Sequence, residues 1–357
     1  MAVPETFKAA VMPEAGALNV VSDRSLAPLE KGEVAIKITA TAINPVDWKI
    51  RDYKVFLQQF PAVAGSDAAG EIAAVGPEVT GFAEGDRVFF QGIIGRYDSS
   101  TFQQYCKMPA ALVAKTPKNI SDEQAGGISL ATVAVVVALY DKASGRGLTA
   151  PWEQGGSEAG KGKAIVVLGG SSSVGQYAIQ MAKLSGFSKI ITNSSAGHIE
   201  HLKSLGADIV LDRSKQSTPE DFAAAVGDLP LDCVFDAISG KDTLLLGVKV
   251  IQATKTENTH VYAVQTNADD ANKQGESQEP KTSVKPVLGM GAKPELRYLS
   301  EPLMKSLGGE DGWIAKGLFK PNRPLVIPGG LPALETALKK NKEGVSGEKV
   351  VIKPFDA

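Results

Sequence analysis

The sequence predicts an α/β protein of two domains, a β-rich domain and a doubly wound parallel sheet with helices on both faces. Up to about Ile120 the chain is a series of short apolar runs broken by Gly, Pro and Asp, the pattern of strands joined by turns. From Ser121 onward, apolar runs of strand length alternate with stretches of helical periodicity, which implies parallel strands joined by crossover helices. Between these patterns' ends stands Ala164 to Lys183, AIVVLGGSSSVGQYAIQMAK, an apolar run, a burst of Gly and Ser, and then apolar residues at helical spacing.

The composition bounds the function. At 357 residues and 43% hydrophobic the chain can bury one large core and a second smaller one. A net charge of −2 with no Lys/Arg run argues against nucleic acid, an anionic membrane or a polyanionic substrate. Two cysteines, Cys106 and Cys233, make no disulfide framework, and MAVPETFKAAVMPEAG has neither the basic flank nor the apolar core of a signal peptide. A reducing, cytoplasmic compartment is expected. The longest apolar run, Ile128 to Tyr140, is interrupted by Ser129 and Thr132 and is short for a bilayer, so it reads as a buried helix.

Taken in order, Lys8 to Met12, Glu33 to Ile43, Gly70 to Val75 and Arg87 to Phe90 read as strands, with one helix at Pro45 to Tyr53. Ser121 followed by Asp122, Glu123 and Gln124 is a capped helix start opening the long apolar helix. Asp141 to Lys161, rich in Gly, Ser and charge, reads as a surface loop with an exposed Trp152. Ala164 to Leu168 is short, β-branched and uncharged, a buried strand, and Val174, Ala178, Ile179, Met181 and Ala182 set the face of the helix after it. Strands follow at Lys189 to Thr192, Ile209 to Leu211, Cys233 to Ala237 and Val261 to Val264, with helices at Ile199 to Leu205 and Pro219 to Val226. Asn267 to Lys285 is polar and reads as a mobile excursion. Leu303 to Leu318 reads as a helix, Leu325 to Ile327 and Val350 to Ile352 as strands returning to the first domain, and Leu331 to Lys340 as helical between them.

The glycine-rich turn has a chemical use. A helix N-terminus presents unpaired N–H groups and a partial positive charge, which together hold a phosphate. Against the dinucleotide fingerprint G-x-G-x-x-G the chain offers Gly170, Ser172 and Gly175, with serine in the middle place. Small residues still permit close approach, and the hydroxyls of Ser171, Ser172 and Ser173 can hydrogen-bond a pyrophosphate before the helix opens at Val174. The alternative is a glycine-rich turn with no ligand.

Six signals occur in register: Asn44-Pro45-Val46-Asp47-Trp48-Lys49, Gly65-Ser66-Asp67-Ala68-Ala69-Gly70, Gly85-Asp86-Arg87-Val88, the GGSSSVG turn, Lys203-Ser204-Leu205-Gly206-Ala207-Asp208 and Ser346-Gly347-Glu348-Lys349-Val350-Val351. Together they resemble the medium-chain dehydrogenase/reductase superfamily along nearly the whole chain, in particular its zinc-free quinone oxidoreductase and enoyl reductase branch, and within it the fungal trans-acting enoyl reductases. The resemblance implies a GroES-like β-barrel domain formed by residues 1–128 and 319–357, a Rossmann domain of residues 129–318, and a cleft where nicotinamide meets substrate. Zinc alcohol dehydrogenases of the superfamily hold their metal with Cys, His and Cys next to a Glu; at the matching places this chain has Asn44, Ser66, Ile128 and Asp67. Thiolate and imidazole ligands are missing there, the four-cysteine lobe is absent, and His198 with His201 makes only two ligands. No metal is expected.

Cofactor choice depends on the end of the second strand of the nucleotide fold, where an acid would bind the ribose of NAD. The chain reads Thr192-Asn193-Ser194-Ser195-Ala196-Gly197-His198 there, without an acid. Ser194 and Ser195 hydroxyls and a His198 imidazole able to carry charge suit a 2′-phosphate, and relatives tend to have Lys at the place of His198, so NADPH is expected. The alternative is an N-cap serine and a solvated histidine. Arg213 either lies beside the adenine or phosphate or is a surface arginine.

Without zinc to polarise a carbonyl, hydride addition to an activated C=C is favoured, followed by enolate stabilisation and protonation at the α-carbon. Lys49 either donates to the enolate, holds the nicotinamide ribose, or is solvated. Tyr53 either supplies the proton, as a nearby Tyr does in some related enoyl reductases, or packs half-buried. The resemblance places Asn44 and Thr132 near the nicotinamide, although Asn44 also suits a helix cap, and Asp47 either orients Lys49 or favours the helix's first turn. Ile238 and Val264, at ends of late strands, are expected to line the nicotinamide through backbone groups or to be sheet core. Gly289-Met290-Gly291 is a candidate wall of the substrate pocket. The expected activity is reduction of an enoyl thioester, enone or quinone, free or carried by a partner synthase, by a monomer or homodimer. A zinc-free carbonyl or alcohol oxidoreductase, and a protein that binds NADPH without turnover, are the alternatives.

Overall fold

Alternation of apolar and polar residues, interrupted by turn residues, organises the first part of the chain into strands. In the computed structural model, which describes residues 3–264 and 267–356, these are β1 (Phe7–Met12), β2 (Val20–Arg24), β3 (Glu33–Ala42), β4 (Ala62–Val63), β5 (Ala68–Val75), β6 (Arg87–Phe90), β7 (Tyr105–Pro109) and β8 (Val113–Lys115). Helix α1 (Pro45–Tyr53) follows β3, and α2 (Asp122–Ala125) is capped by Ser121, whose side chain accepts from the Gln124 N–H. Helix α3 (Ser129–Tyr140) comes next. The run Asp122–Tyr140 is 19 residues and apolar enough by length to cross a membrane, yet 83% of its most apolar window is buried inside the protein, as in a core helix.

Beyond it come β9 (Ala164–Leu168), α4 (Ser173–Leu184), β10 (Lys189–Ser194), α5 (Ile199–Leu205), β11 (Ile209–Asp212), α6 (Pro219–Val226) and β12 (Leu231–Asp236). The series continues with α7 (Lys241–Thr254), β13 (Val261–Ala263), α8 (Asp269–Ser277) and β14 (Val284–Pro286). The chain closes with α9 (Arg297–Leu307), β15 (Arg323–Val326), α10 (Leu334–Glu343) and β16 (Glu348–Ile352).

The contacts divide the chain into two units. The first comprises Met1–Leu130 and Gly291–Ala357, the second Ala131–Met290. In the first, a three-stranded sheet runs β2-β1-β4 and a seven-stranded sheet runs β15-β16-β3-β5-β6-β8, with β7 paired to β3. The closing strand β16 lies antiparallel to β3, Val351 opposite Ala42 and Ile352 opposite Thr41. Both ends of the chain thus build one sheet, as the resemblance implies. Residues 291–318, assigned to the second domain from sequence, fall in the first unit because α9 packs on β8.

The second unit is a six-stranded sheet of order β11-β10-β9-β12-β13-β14 with every pair parallel, the Rossmann arrangement. Its core is the alternation of Ala164, Val166 and Leu168 on β9 with Val234, Leu244, Val248, Ile251 and Val261 around them.

Three readings need correction. Asn267 to Lys285, read as an excursion, carries α8 and β14, because the Gln252 amide of α7 donates to the Gln274 and Gln278 carbonyls and holds the polar helix in place. The helix read over Leu303 to Leu318 starts earlier and stops at Leu307, where Gly308 caps it onto the Met304 carbonyl. Trp152, read as exposed, is half-buried edge-on against Tyr140.

Candidate active site

The second unit places its glycine- and serine-rich turn where its strand order reverses, between β9 and β12. Gly169 leaves β9 with φ +77°, and a Cβ there would meet Ile238 Cγ1 at 2.4 Å. At Gly175 a Cβ would stand 2.3 Å from the Gly169 carbonyl oxygen, so turn and helix meet backbone to backbone. Asn193 of β10 ties the turn down: its side chain accepts the Gly169 N–H at 2.8 Å and its carbonyl the Gly170 N–H at 3.1 Å. Ser172 caps α4, its hydroxyl accepting the Gly175 N–H at 3.0 Å. Ser171, Ser172, Ser173 and Val174 are half-buried at the mouth of a twelve-residue helix, the geometry that receives an anion. Close-packed glycines, a serine-capped helix and small residues at the switch point fit the diphosphate of a dinucleotide.

At the end of β10, Ser194 is buried and donates to the Ser195 carbonyl at 3.0 Å, while Ser195 and His198 are half-buried on the short turn that leads into α5. Arg213 donates its backbone N–H to the Ser194 carbonyl at 2.9 Å and leaves its side chain exposed. The structure therefore brings Ser194, Ser195 and the Arg213 backbone to one corner of the sheet. His201 is engaged with Gln176 at 3.1 Å.

The ends of β12 and β13 are knotted by two residues that sequence reasoning passed over. Asp236, fully buried, accepts the N–H groups of Ile238 and Ser239, both at 2.9 Å. Ser239 donates to the Asp236 carbonyl at 3.0 Å and accepts the Val264 N–H at 3.0 Å. Burial pushes the Asp236 carboxyl above its ordinary range. The signal was there: Asp236-Ala237-Ile238-Ser239-Gly240 at the end of a strand is a turn in which an Asp side chain caps the N–H groups two and three residues on. Ile238 is not sheet core, since it is 47% exposed over Gly169. Thr132 is fully buried on α3.

In the first unit, Asn44 precedes α1 and Asp47 turns back to accept its N–H at 2.7 Å. Asp47 also accepts the Ser66 hydroxyl at 3.4 Å. Asp67 accepts the Leu130 N–H at 3.2 Å and the Asn44 amide at 3.5 Å. Into this group reaches Lys349 of β16, donating to the Asn44 amide oxygen and lying 3.6 Å from Asp67. All five side chains are buried. Burial drives the Asp47 carboxyl up to about 7 and Asp67 up to about 6, against the opposing pull of Lys349 on both. Asp47 is thus engaged by Asn44 and Ser66.

Lys49, on α1, is half-buried with its ammonium 5.4 Å from the Trp48 ring, and burial lowers its pKa. Tyr53 ends the same helix edge-on to Trp48 but is 64% exposed, which removes the half-buried packing role. Gly291 donates its N–H to the Gln91 side chain at 3.0 Å and accepts from Ser300.

The positions matched to zinc ligands hold an amide, a hydroxyl, an alkyl chain and a carboxylate paired with an ammonium, a donor set that does not fit zinc. Among the described residues no group of three His, Cys, Asp or Glu side chains is arranged for a metal.

Comparison with known proteins agrees with this architecture. Residues 30–118 match the family model of the alcohol dehydrogenase GroES-like domain, and residues 173–255 that of the zinc-binding dehydrogenases. The chain is 32% identical over 337 residues to a trans-enoyl reductase of Aspergillus japonicus, covering 90% of this chain and 89% of that protein. It is 33% identical over 262 residues to an NADPH-dependent alkenal/one oxidoreductase of Arabidopsis thaliana chloroplasts, covering 70% of this chain and 61% of the relative. The fold is similar to that of a quinone oxidoreductase from Coxiella burnetii, at TM-score 0.70 and 22% identity, with 98% and 99% of the two chains covered.

Proposed function

The chain belongs to the medium-chain dehydrogenase/reductase superfamily, in its enoyl and quinone reductase branch, and we propose that it is a zinc-independent, NADPH-dependent reductase of the C=C bond in α,β-unsaturated carbonyl compounds. Its family is one of oxidoreductases, and the relatives named for enoyl and alkenal/one reduction support this acceptor class. Enones, quinones and enoyl thioesters, including carrier-bound ones, belong to it.

The observation that carries the reading is the donor set around Asn44. With an amide, a hydroxyl and an alkyl chain where the family's zinc ligands stand, and the neighbouring Asp67 paired with Lys349, a simple ketone has no Lewis acid to polarise it. A conjugated alkene needs only a hydride at its β-carbon and a proton at its α-carbon.

The turn Gly170, Ser171, Ser172, Ser173, Val174 and Gly175 holds the diphosphate. Ser194, Ser195 and His198 take the 2′-phosphate, with Arg213 beside it. Backbone groups of Ile238 and Val264, fixed by Asp236 and Ser239, flank the nicotinamide with Thr132 in the second unit, and the family resemblance assigns Asn44 of the first unit to the same end of the cofactor. Bound NADPH supplies the hydride. Lys49 steadies the enolate oxygen or the nicotinamide ribose, and Tyr53 donates its hydroxyl proton to the α-carbon and regains one from the solvent to which it is exposed. The cytoplasm, where NADPH is abundant and thiols stay reduced, suits two buried free cysteines.

The test is loss of reduced-nicotinamide absorbance with NADPH, a zinc chelator and a panel of enones, quinones, enoyl thioesters and simple ketones. Turnover confined to the conjugated acceptors supports the proposal. Turnover of ketones alone, or abolition by the chelator, would replace it with carbonyl chemistry, and cofactor binding without turnover with a non-catalytic role.

A further inference from the structure

The function above uses Asn44 but leaves the buried lysine beside it unexplained. We propose that Lys349 is a positioning residue for hydride transfer, its ammonium fixing the Asn44 side-chain amide in one orientation while compensating the buried Asp47 and Asp67 pair. The inference rests on the reading in which Asn44 meets the nicotinamide end of the cofactor.

Orientation follows from donor and acceptor chemistry. An ammonium only donates and a carboxylate only accepts, and Asn44 lies between one of each, Lys349 on its oxygen and Asp67 on its nitrogen. A flipped amide would set N–H against ammonium and oxygen against carboxylate, so a single orientation is stable. One of the two amide N–H groups goes to Asp67, and the other is the donor assigned to the cofactor in this proposal. The lysine's path is also built in: its stem crosses Gly127, where a Cβ would stand 2.7 Å from Lys349 Cγ.

Charge explains why a lysine is tolerated at 5% side-chain exposure. The charged groups facing one another are Asp47 from α1, Asp67 from the start of β5 and Lys349 from β16, with the Asn44 N–H, the Leu130 N–H and the Ser66 hydroxyl as neutral donors. An unpaired buried charge is costly. Two ionised acids and one ammonium leave a net negative charge, which the group relieves by retaining a proton on Asp47, the acid raised further, so that Asp67 stays the carboxylate that accepts from Asn44.

The experiment compares Lys349→Met, Lys349→Arg, Asn44→Ala, the Lys349→Met/Asn44→Ala double variant and the charge-matched Lys349→Met/Asp67→Asn variant. Single-turnover NADPH oxidation by an enone the wild type accepts gives the hydride step, and NADPH fluorescence gives Kd. Lys349→Met should slow the hydride step by about tenfold or more with Kd within about threefold, Lys349→Arg should recover part of the loss, and the Asn44 double variant should be no slower than the slower single. Additive losses would overturn the proposal. So would full recovery in Lys349→Met/Asp67→Asn, which would reduce the lysine to a counter-ion. A wild type that turns over no acceptor defeats the functional reading separately. The positioning claim is then judged by the Asn44 side-chain ¹⁵N–H resonance, which should shift with NADPH in the wild type and lose that shift in Lys349→Met; equal shifts would overturn it.

Discussion

Substituting Gly175 by Ala places a methyl group where turn and helix touch. The new Cβ would lie 2.3 Å from the Gly169 carbonyl oxygen and 2.9 Å from Gly170 Cα, both backbone atoms. A carbon and a carbonyl oxygen approach to about 3.3 Å at closest, so the start of α4 must retreat by about 1 Å. Overpacking of this kind costs about 1–3 kcal/mol of stability. The retreat carries Ser172 and the first-turn N–H groups away from the position proposed for the diphosphate, and NADPH Kd should then rise about 10- to 100-fold, or ~1.4–2.8 kcal/mol. The assay is a fluorescence titration with NADPH beside a thermal melt of the free protein. A folded Gly175→Ala protein that binds NADPH within twofold of the wild type would refute the assignment of this turn to the phosphates.

Replacing His198 by Ala should weaken NADPH about 5- to 10-fold, by loss of about one charge-assisted hydrogen bond, and leave NADH affinity unchanged; equal losses for both coenzymes would remove His198 from the 2′-phosphate. Tyr53→Phe should lower kcat about tenfold or more while Kd for NADPH and the melting temperature stay put, because the ring is exposed; an unchanged kcat would dismiss it as the proton source. Stability should also depend on pH. Asp47 and Asp67 have folded-state values raised to about 7 and about 6 from 3.8, so the folded state binds more protons, and their contribution is complete below about pH 4 and lost as pH rises through about 7. Denaturant titrations should show a decline of about 6–7 kcal/mol from this pair across that window, from rises of about 3 and about 2 pH units at about 1.36 kcal/mol each, and Asp47→Asn should flatten the slope. A slope unchanged in Asp47→Asn would show that the pair titrates normally.

The glycine turn was legible because everything it needs is local: an uncharged β-branched strand, small residues, and Ser172 three places before Gly175. Helix α7 was legible and passed over, since Leu244, Val248 and Ile251 repeat at helical spacing and all are buried. Helix α8 was not, because it is polar and its anchor is the Gln252 amide of another helix. Lys349 was hidden for the same reason at greater distance. A lysine inside an apolar strand reads as a solvated side chain, and its burial follows only once β16 pairs with β3 and brings it to Asn44, 305 residues away.

The destination of the hydride separates reduction of the alkene from reduction of the carbonyl. Incubation with NADPH carrying deuterium at the nicotinamide C4, an α,β-unsaturated ketone and a zinc chelator, followed by mass spectrometry and NMR of the product, decides it. A saturated ketone with one deuterium on the β-carbon is the predicted product. An allylic alcohol with deuterium on the carbonyl carbon would contradict the account.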